Sequence, residues 1–492
     1  MISLVISKKF VFRISQISLG VTLVLLLLNE VQTLIAWWVM LFCLLPALVW
    51  VQSSTYLSVK VFVWTVFVTQ VVGVPLFYLN PEEYTFQSHR PYYFTGLEAF
   101  RVFYKVGIFL LVFLFVASLL KKMFDLLGAK KKNISFESNT IKITDKTFTP
   151  ILMASRTTSL ISLGFIIFII CIMIPLNNWM FQNGIGLTGV DSPALPFRLS
   201  GILTYLAKIL VPIVLAFLYL RTQRDSVIVI FILGFYSIFL GVSTVSKSAA
   251  LIVILAPWAF ALIDRRWFLF VITTIFVTLG IGLASASRIL VYVFSENTSG
   301  SDTSMGVINT LIETARNLEW NRVWLTIFSI IGRIESFETL WLATNVNPDT
   351  FGGGLAVLAK AVDWNLVDLG HDAIHMEVLG YTVPEGIYNV PSGVLAYMLW
   401  AVGDSPLFYI PFAILLAGFL MLQELSIRVI GERYSVNALF LSPVIVLLSL
   451  SYYASIGYPT ANWIFLFLVT FKFFPRLYLI NKVLSRISAS IK

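Results

Sequence analysis

The sequence predicts an all-α polytopic membrane protein. Apolar runs of about 20 residues, the length that crosses a bilayer as helix, recur through most of the chain. Of its 492 residues 58% are hydrophobic and only 12% are charged. Mean hydropathy is +0.89, far more apolar surface than a water-soluble core requires. A membrane β-barrel is excluded by pattern, because its strands would read as roughly 10-residue alternating segments.

Twelve spans are predicted from these runs. They cover 14–30, 33–52, 56–79, 98–120, 157–177, 199–220, 226–244, 248–263, 267–286, 406–424, 437–454 and 460–475. Lys8, Lys9 and Arg13 precede the first run without a small-residue cleavage site, which reads as an uncleaved first helix. The two cysteines, Cys43 and Cys171, fall inside apolar spans and suggest neither a disulfide nor a metal site.

Basic residues orient the spans. The 121–156 segment holds eight Lys and Arg (Lys121, Lys122, Lys130, Lys131, Lys132, Lys142, Lys146 and Arg156) against three acids. Arg221/Arg224, Arg265/Arg266, Arg428/Arg433 and the tail bearing Arg476, Lys482, Arg486 and Lys492 mark the other basic connections. Twelve crossings with both termini cytoplasmic put all of them on one side, as the positive-inside rule asks. The net charge of +9 therefore reports topology and anionic headgroups before it reports nucleic acid. The 121–150 segment is expected to be a cytoplasmic loop that touches anionic lipid. The 386–403 stretch (GIYNVPSGVLAYMLWAVG) would break the charge rule as a thirteenth crossing. It is short and carries Pro391, and a re-entrant or interfacial helix fits it better.

Three regions follow. Residues 1–287 form the first nine spans, 288–405 a large extracytoplasmic loop, and 406–492 the last spans and a basic tail. The loop segment 288–385 holds 12 of the 25 acidic residues and two of the three histidines. It also carries Arg288, Arg316, Arg322 and Arg333. A helix is predicted within 304–345, which lacks proline. Arg322 and Arg333, eleven residues apart, share a face of it, and Glu335 and Glu338 lie about one turn apart.

Cations concentrated at a membrane face suit a phosphorylated lipid-linked ligand, because guanidinium groups stay charged and bind phosphate in a planar fork. Arg288 stands where the ninth span is expected to leave the membrane; the plainer alternative is an interfacial snorkelling arginine. Arg322 and Arg333 form a basic stripe, or pair with Glu319, Glu335 or Glu338. Lys247 lies in the outer turn 241–250 (GVSTVSKSAA), against the charge trend. Lys208 lies within the sixth span, where a charge is costly. His371 and His375 are four residues apart, but HDAIH lacks the glutamate of the H-E-x-x-H zinc motif, and no metal is expected. A histidine or carboxylate of the loop is a candidate for proton transfer or sugar binding, against a loop bonded to itself. No phosphate-binding glycine loop, dinucleotide fingerprint, nucleophile elbow or DxD-type pair is present. Nucleotide-driven chemistry is therefore unsupported, and no cofactor is expected.

Three stretches together resemble the bacterial O-antigen and capsule oligosaccharide repeat-unit polymerase family. They are GVSTVSKSAALIVIL, GRIESFETLWLATN and YNVPSGVLAYMLWAVGDSPLFYIPFAILLAGF. The resemblance covers about residues 200–425; the Asp/His segment 363–377 stands where family members often carry a proline-rich stretch. The resemblance implies a GT-C-like, metal-independent, inverting transferase in the bacterial inner membrane. Its substrate would be an undecaprenyl-diphosphate-linked oligosaccharide, with a chain-length regulator as a further partner. Lys247, Arg288 and Arg333 would bind the diphosphate, with Arg322 and His375 as further substrate contacts. Glu338 or His371 would take the acceptor's proton. The O-antigen ligase and a lipid-linked-oligosaccharide flippase are the alternatives.

Overall fold

The structure, a computed structural model, describes residues 8–28, 31–79, 96–129, 156–187, 195–196, 199–222, 226–263, 265–297, 306–316, 340 and 409–433. Among these residues the regular structure is helical, with no strand. The helices are α1 (Lys8–Leu27), α2 (Val31–Val51), α3 (Leu57–Leu79), α4 (Gly96–Ala129), α5 (Arg156–Gln182) and α6 (Leu199–Tyr205). A π-helical turn (Leu206–Leu210) leads into α7 (Val211–Arg221). Then come α8 (Val227–Ser243), α9 (Lys247–Ile263), α10 (Trp267–Asn297), α11 (Val307–Arg316) and α12 (Tyr409–Arg433).

Four of these are long and apolar enough to cross a membrane, through Val31–Val51, Ala99–Phe124, Ser159–Gln182 and Trp267–Ala284. Shorter apolar stretches lie on α1, α3, α8, α9 and α12. Their outward faces carry side chains that water would reject: Leu27 is 85% exposed, Phe42 76% and Phe268 69%. A bilayer is the solvent that suits such a surface.

The described helices pack as two groups. In the first, α1, α2, α3, α4 and α12 enclose a core with Trp37, Met40, Phe103, Phe109, Phe113 and Tyr409. Leu340, the described residue of the GRIESFETLWLATN stretch, is fully buried in this core. Glu424 of α12, also fully buried, meets the first turn of α3. In the second, α5 to α11 enclose Tyr219, Ile230, Leu233, Tyr236, Val253, Phe260 and Phe276. There α8, α9 and α10 are mutually packed, α7 lies against α9, and α11 folds back onto α8 and α10.

Helix bounds run past expectation at several ends, α12 to Arg433 among them. α4 continues to Ala129, so Lys121 and Lys122 are helical rather than part of a loop. Lysine is a good helix former, and an excess of charge does not end a helix. α10 continues to Asn297, past the expected end at 286, because no glycine or proline interrupts 283–297. The predicted helix in 304–345 is realised as α11 over Val307–Arg316; the rest of that range, Leu340 aside, lies outside the described residues.

The π turn has a local cause. Pro212 has no N–H to donate to the Lys208 carbonyl, and its ring crowds that carbonyl. The ladder widens instead, with the Val211 N–H donating to the Leu206 carbonyl.

Candidate functional site

The turn between α8 and α9 is built from Thr244, Val245 and Ser246. Val245 sits at φ 50°, a left-handed conformation that a β-branched residue adopts only under constraint. The constraint is a paired helix-end bond set: the Ser246 N–H donates to the Gly241 carbonyl at 3.0 Å and the Val245 N–H to the Val242 carbonyl at 3.2 Å. The Thr244 hydroxyl donates to the Leu240 carbonyl at 2.7 Å. The Ser246 hydroxyl oxygen accepts the Ala249 N–H at 3.4 Å and so caps α9. One serine thus closes one helix and opens the next, and Ser243, Thr244, Val245 and Ser246 are all buried. The strain, of order 1–3 kcal/mol, is held by surrounding structure.

Small residues bring the three helices together below the turn. A Cβ on Gly241 would lie 2.7 Å from the Ala250 Cβ and 3.3 Å from the Ala284 Cβ. A Cβ on Gly280 would lie 3.3 Å from the same Ala250 atom. The Ser237 hydroxyl donates to the Ala250 carbonyl, and the Phe276 ring lies directly on Gly234.

This packing locates two of the predicted site positions. Lys247, the first residue of α9, precedes Ala250 by three residues. Arg288 of α10 follows Ala284 by four. Each lies about one helical turn, some 4–6 Å, beyond the contact with Gly241. The backbone therefore brings positions 247 and 288 to one end of the α8–α9–α10 unit. Arg288 lies inside α10 rather than at its end, since the helix runs on to Asn297. Arg322, Arg333, Glu338, His371 and His375 lie outside the described residues.

Polar groups missed by the sequence reading gather on α5. The Asn178 Oδ1 accepts the Val307 N–H at 3.1 Å and so caps α11 from another helix. Its neighbour Asn177 donates an amide N–H to the Tyr236 hydroxyl at 3.5 Å. Asn177 Oδ1 and Thr314 Oγ1 are buried and make no hydrogen bond among the described residues. The Asn177–Asn178 pair near the end of an apolar span was the available signal. Arg316 is occupied locally: its guanidinium bonds the Glu313 carboxylate at 2.8 Å on the exposed face of α11, a pair worth little to stability.

Compared with family models, with curated proteins and with solved structures, the chain matches none.

Proposed function

We propose that the protein is a polysaccharide polymerase of the extracytoplasmic membrane face. It transfers a growing glycan from undecaprenyl diphosphate to a lipid-linked repeat unit. The observation that carries this reading is the convergence of positions 247 and 288 on one end of three close-packed helices. A lysine and an arginine there suit a ligand with a diphosphate and a hydrocarbon tail in the bilayer.

The resemblance noted above supplies the rest: a bundle of about twelve spans with GT-C-like architecture, both termini cytoplasmic, in the bacterial inner membrane. The acceptor hydroxyl attacks the anomeric carbon of the donor sugar. The new glycosidic C–O bond forms as the bond to the diphosphate breaks, and the configuration inverts. Lys247 and Arg288, with Arg333 and Arg322 of the outer loop, offset the charge that grows on the leaving diphosphate. Glu338 or His371 receives the hydroxyl proton. His375 contacts the glycan, and no metal or cofactor takes part.

The test is reconstitution of the purified protein with lipid-linked repeat units extracted from the source cells. A glycan ladder supports polymerase. A single transfer to a different lipid acceptor supports ligase, and unmodified substrate moved across the bilayer supports a flippase.

A further inference from the structure

We propose that Lys208, on the π-helical turn, is a third cation of the site at Lys247 and Arg288. It would bind the diphosphate of a polyprenyl ligand at the level of those two residues. The inference rests on the functional reading above, and the structure supplies its geometry.

α7 and α9 run in the same direction, since α8 between them returns the chain. Their register is fixed by the Tyr219 and Phe260 rings, which meet edge to face at 6.2 Å between centroids. Counting eleven residues back along each helix, about 16 Å, leads to Lys208 on one side and Ala249 on the other. The π turn itself packs against α9. Position 208 is therefore level with the first turn of α9, two residues beyond Lys247. Ala250 in that same turn packs on Gly241, which packs on Ala284, one turn short of Arg288. Three cationic residues on neighbouring elements thus stand at one depth.

Lys208 is only partly exposed, and Ala207 beside it is fully buried in the second core. It lies nine residues, about 13 Å, inside the expected sixth span. An ionisable residue within a span is a site hypothesis by default, because charge is costly there. Helical turns of π type recur at functional positions because they re-aim a side chain at the cost of a regular ladder bond. The chain is also tightly packed just before the π turn: a Cβ on Gly186, at φ 73°, would lie 2.7 Å from the Thr204 hydroxyl, one turn before Lys208.

The experiment measures binding of undecaprenyl diphosphate, and of undecaprenol as a phosphate-free control, to the whole protein in nanodiscs. The wild type is expected to bind the diphosphate and not the alcohol. Lys208→Met should weaken diphosphate binding about tenfold or more, and Lys208→Arg should largely keep it. Should the methionine variant fail to fold, Lys208→Gln replaces it in the same comparison. Equal affinity in the charge-removal variant overturns the proposal. So does a wild type that binds neither lipid. Equal loss in the Arg and Met variants with a fall in ligand-free Tm marks a packing role and overturns it too. Lys208-dependent binding by a protein that makes no glycan ladder keeps the site and removes the polymerase reading.

Discussion

Ser58 and Glu424 meet across nearly the whole chain. The Ser58 backbone N–H donates to Glu424 Oε2 at 2.7 Å, and its hydroxyl, with one proton to give, lies 2.8 Å from the same oxygen and 3.1 Å from the Leu420 carbonyl. Both residues are buried, so the carboxylate ties the first turn of α3 to α12. A carboxylate at a helix start also matches the dipole of α3. Glu424→Ala leaves the buried Ser58 N–H unpaired, while the hydroxyl keeps the Leu420 carbonyl, and should cost about 2 kcal/mol, Ser58→Ala about 1 kcal/mol, and Glu424→Gln an intermediate amount. Denaturant unfolding in detergent reads the order; an unchanged Glu424→Ala variant contradicts the tie.

Gly241 sets the spacing of α8, α9 and α10. Gly241→Ala forces the Ala250 and Ala284 methyl groups apart and should destabilise by about 1–3 kcal/mol. Gly164→Ala on α5, where a Cβ meets nothing within 4 Å, should be neutral or stabilise by up to about 1 kcal/mol. Thermal unfolding should show Gly241→Ala melting below the parent and Gly164→Ala at or above it, and equal shifts would show that the close approach is not limiting.

Among the described residues, two helix ends hold a non-glycine residue in the left-handed region, Val245 at φ 50° and Arg265 at φ 55°. Arg265 is exposed, so Arg265→Gly removes strain and little packing, and should stabilise by about 0.5–1 kcal/mol. Val245 is 3% exposed, so Val245→Gly also removes a buried side chain worth about 1.5–2 kcal/mol, and its stability change should fall below that of Arg265→Gly. Matched unfolding curves decide between the two effects.

Asn178→Ala should uncap α11 at a cost of about 1 kcal/mol. Amide exchange at Val307 and the following turn should rise while α8 stays protected. Asn177→Leu removes a buried carbonyl oxygen that makes no hydrogen bond among the described residues together with the long bond to the Tyr236 hydroxyl, and should leave exchange at Val307 unchanged. Exchange rates at 307–310 that do not respond to Asn178→Ala would contradict the cap.

The helical membrane character was legible in the sequence, because a bilayer imposes one length and one composition on what lies within it. Helix ends were less legible. Lys121 and Lys122 read as the start of a loop, yet nothing at those positions breaks a helix. The π turn was signalled by Pro212, whose effect falls four residues earlier, at Lys208. The Ser58–Glu424 tie had no local signal, since its partners are joined only by tertiary packing. Lys247 was read as a turn residue; the buried turn comes just before it, and Lys247 opens α9. Its nearness to Arg288 rests on Gly241, Ala250 and Ala284, residues whose part is to be small. The remaining predicted contacts, Arg322, Arg333, Glu338, His371 and His375, belong to the loop outside the described residues.

Charge removal at the two converging positions, 247 and 288, probes the grip on the diphosphate. Lys247→Met and Arg288→Met are reconstituted with the extracted lipid-linked repeat units, and ladder formation is followed with time. The account predicts that each variant stays folded and loses about a hundredfold or more in rate, as expected when a donor to a developing anion is removed. Full ladders from both variants would contradict it.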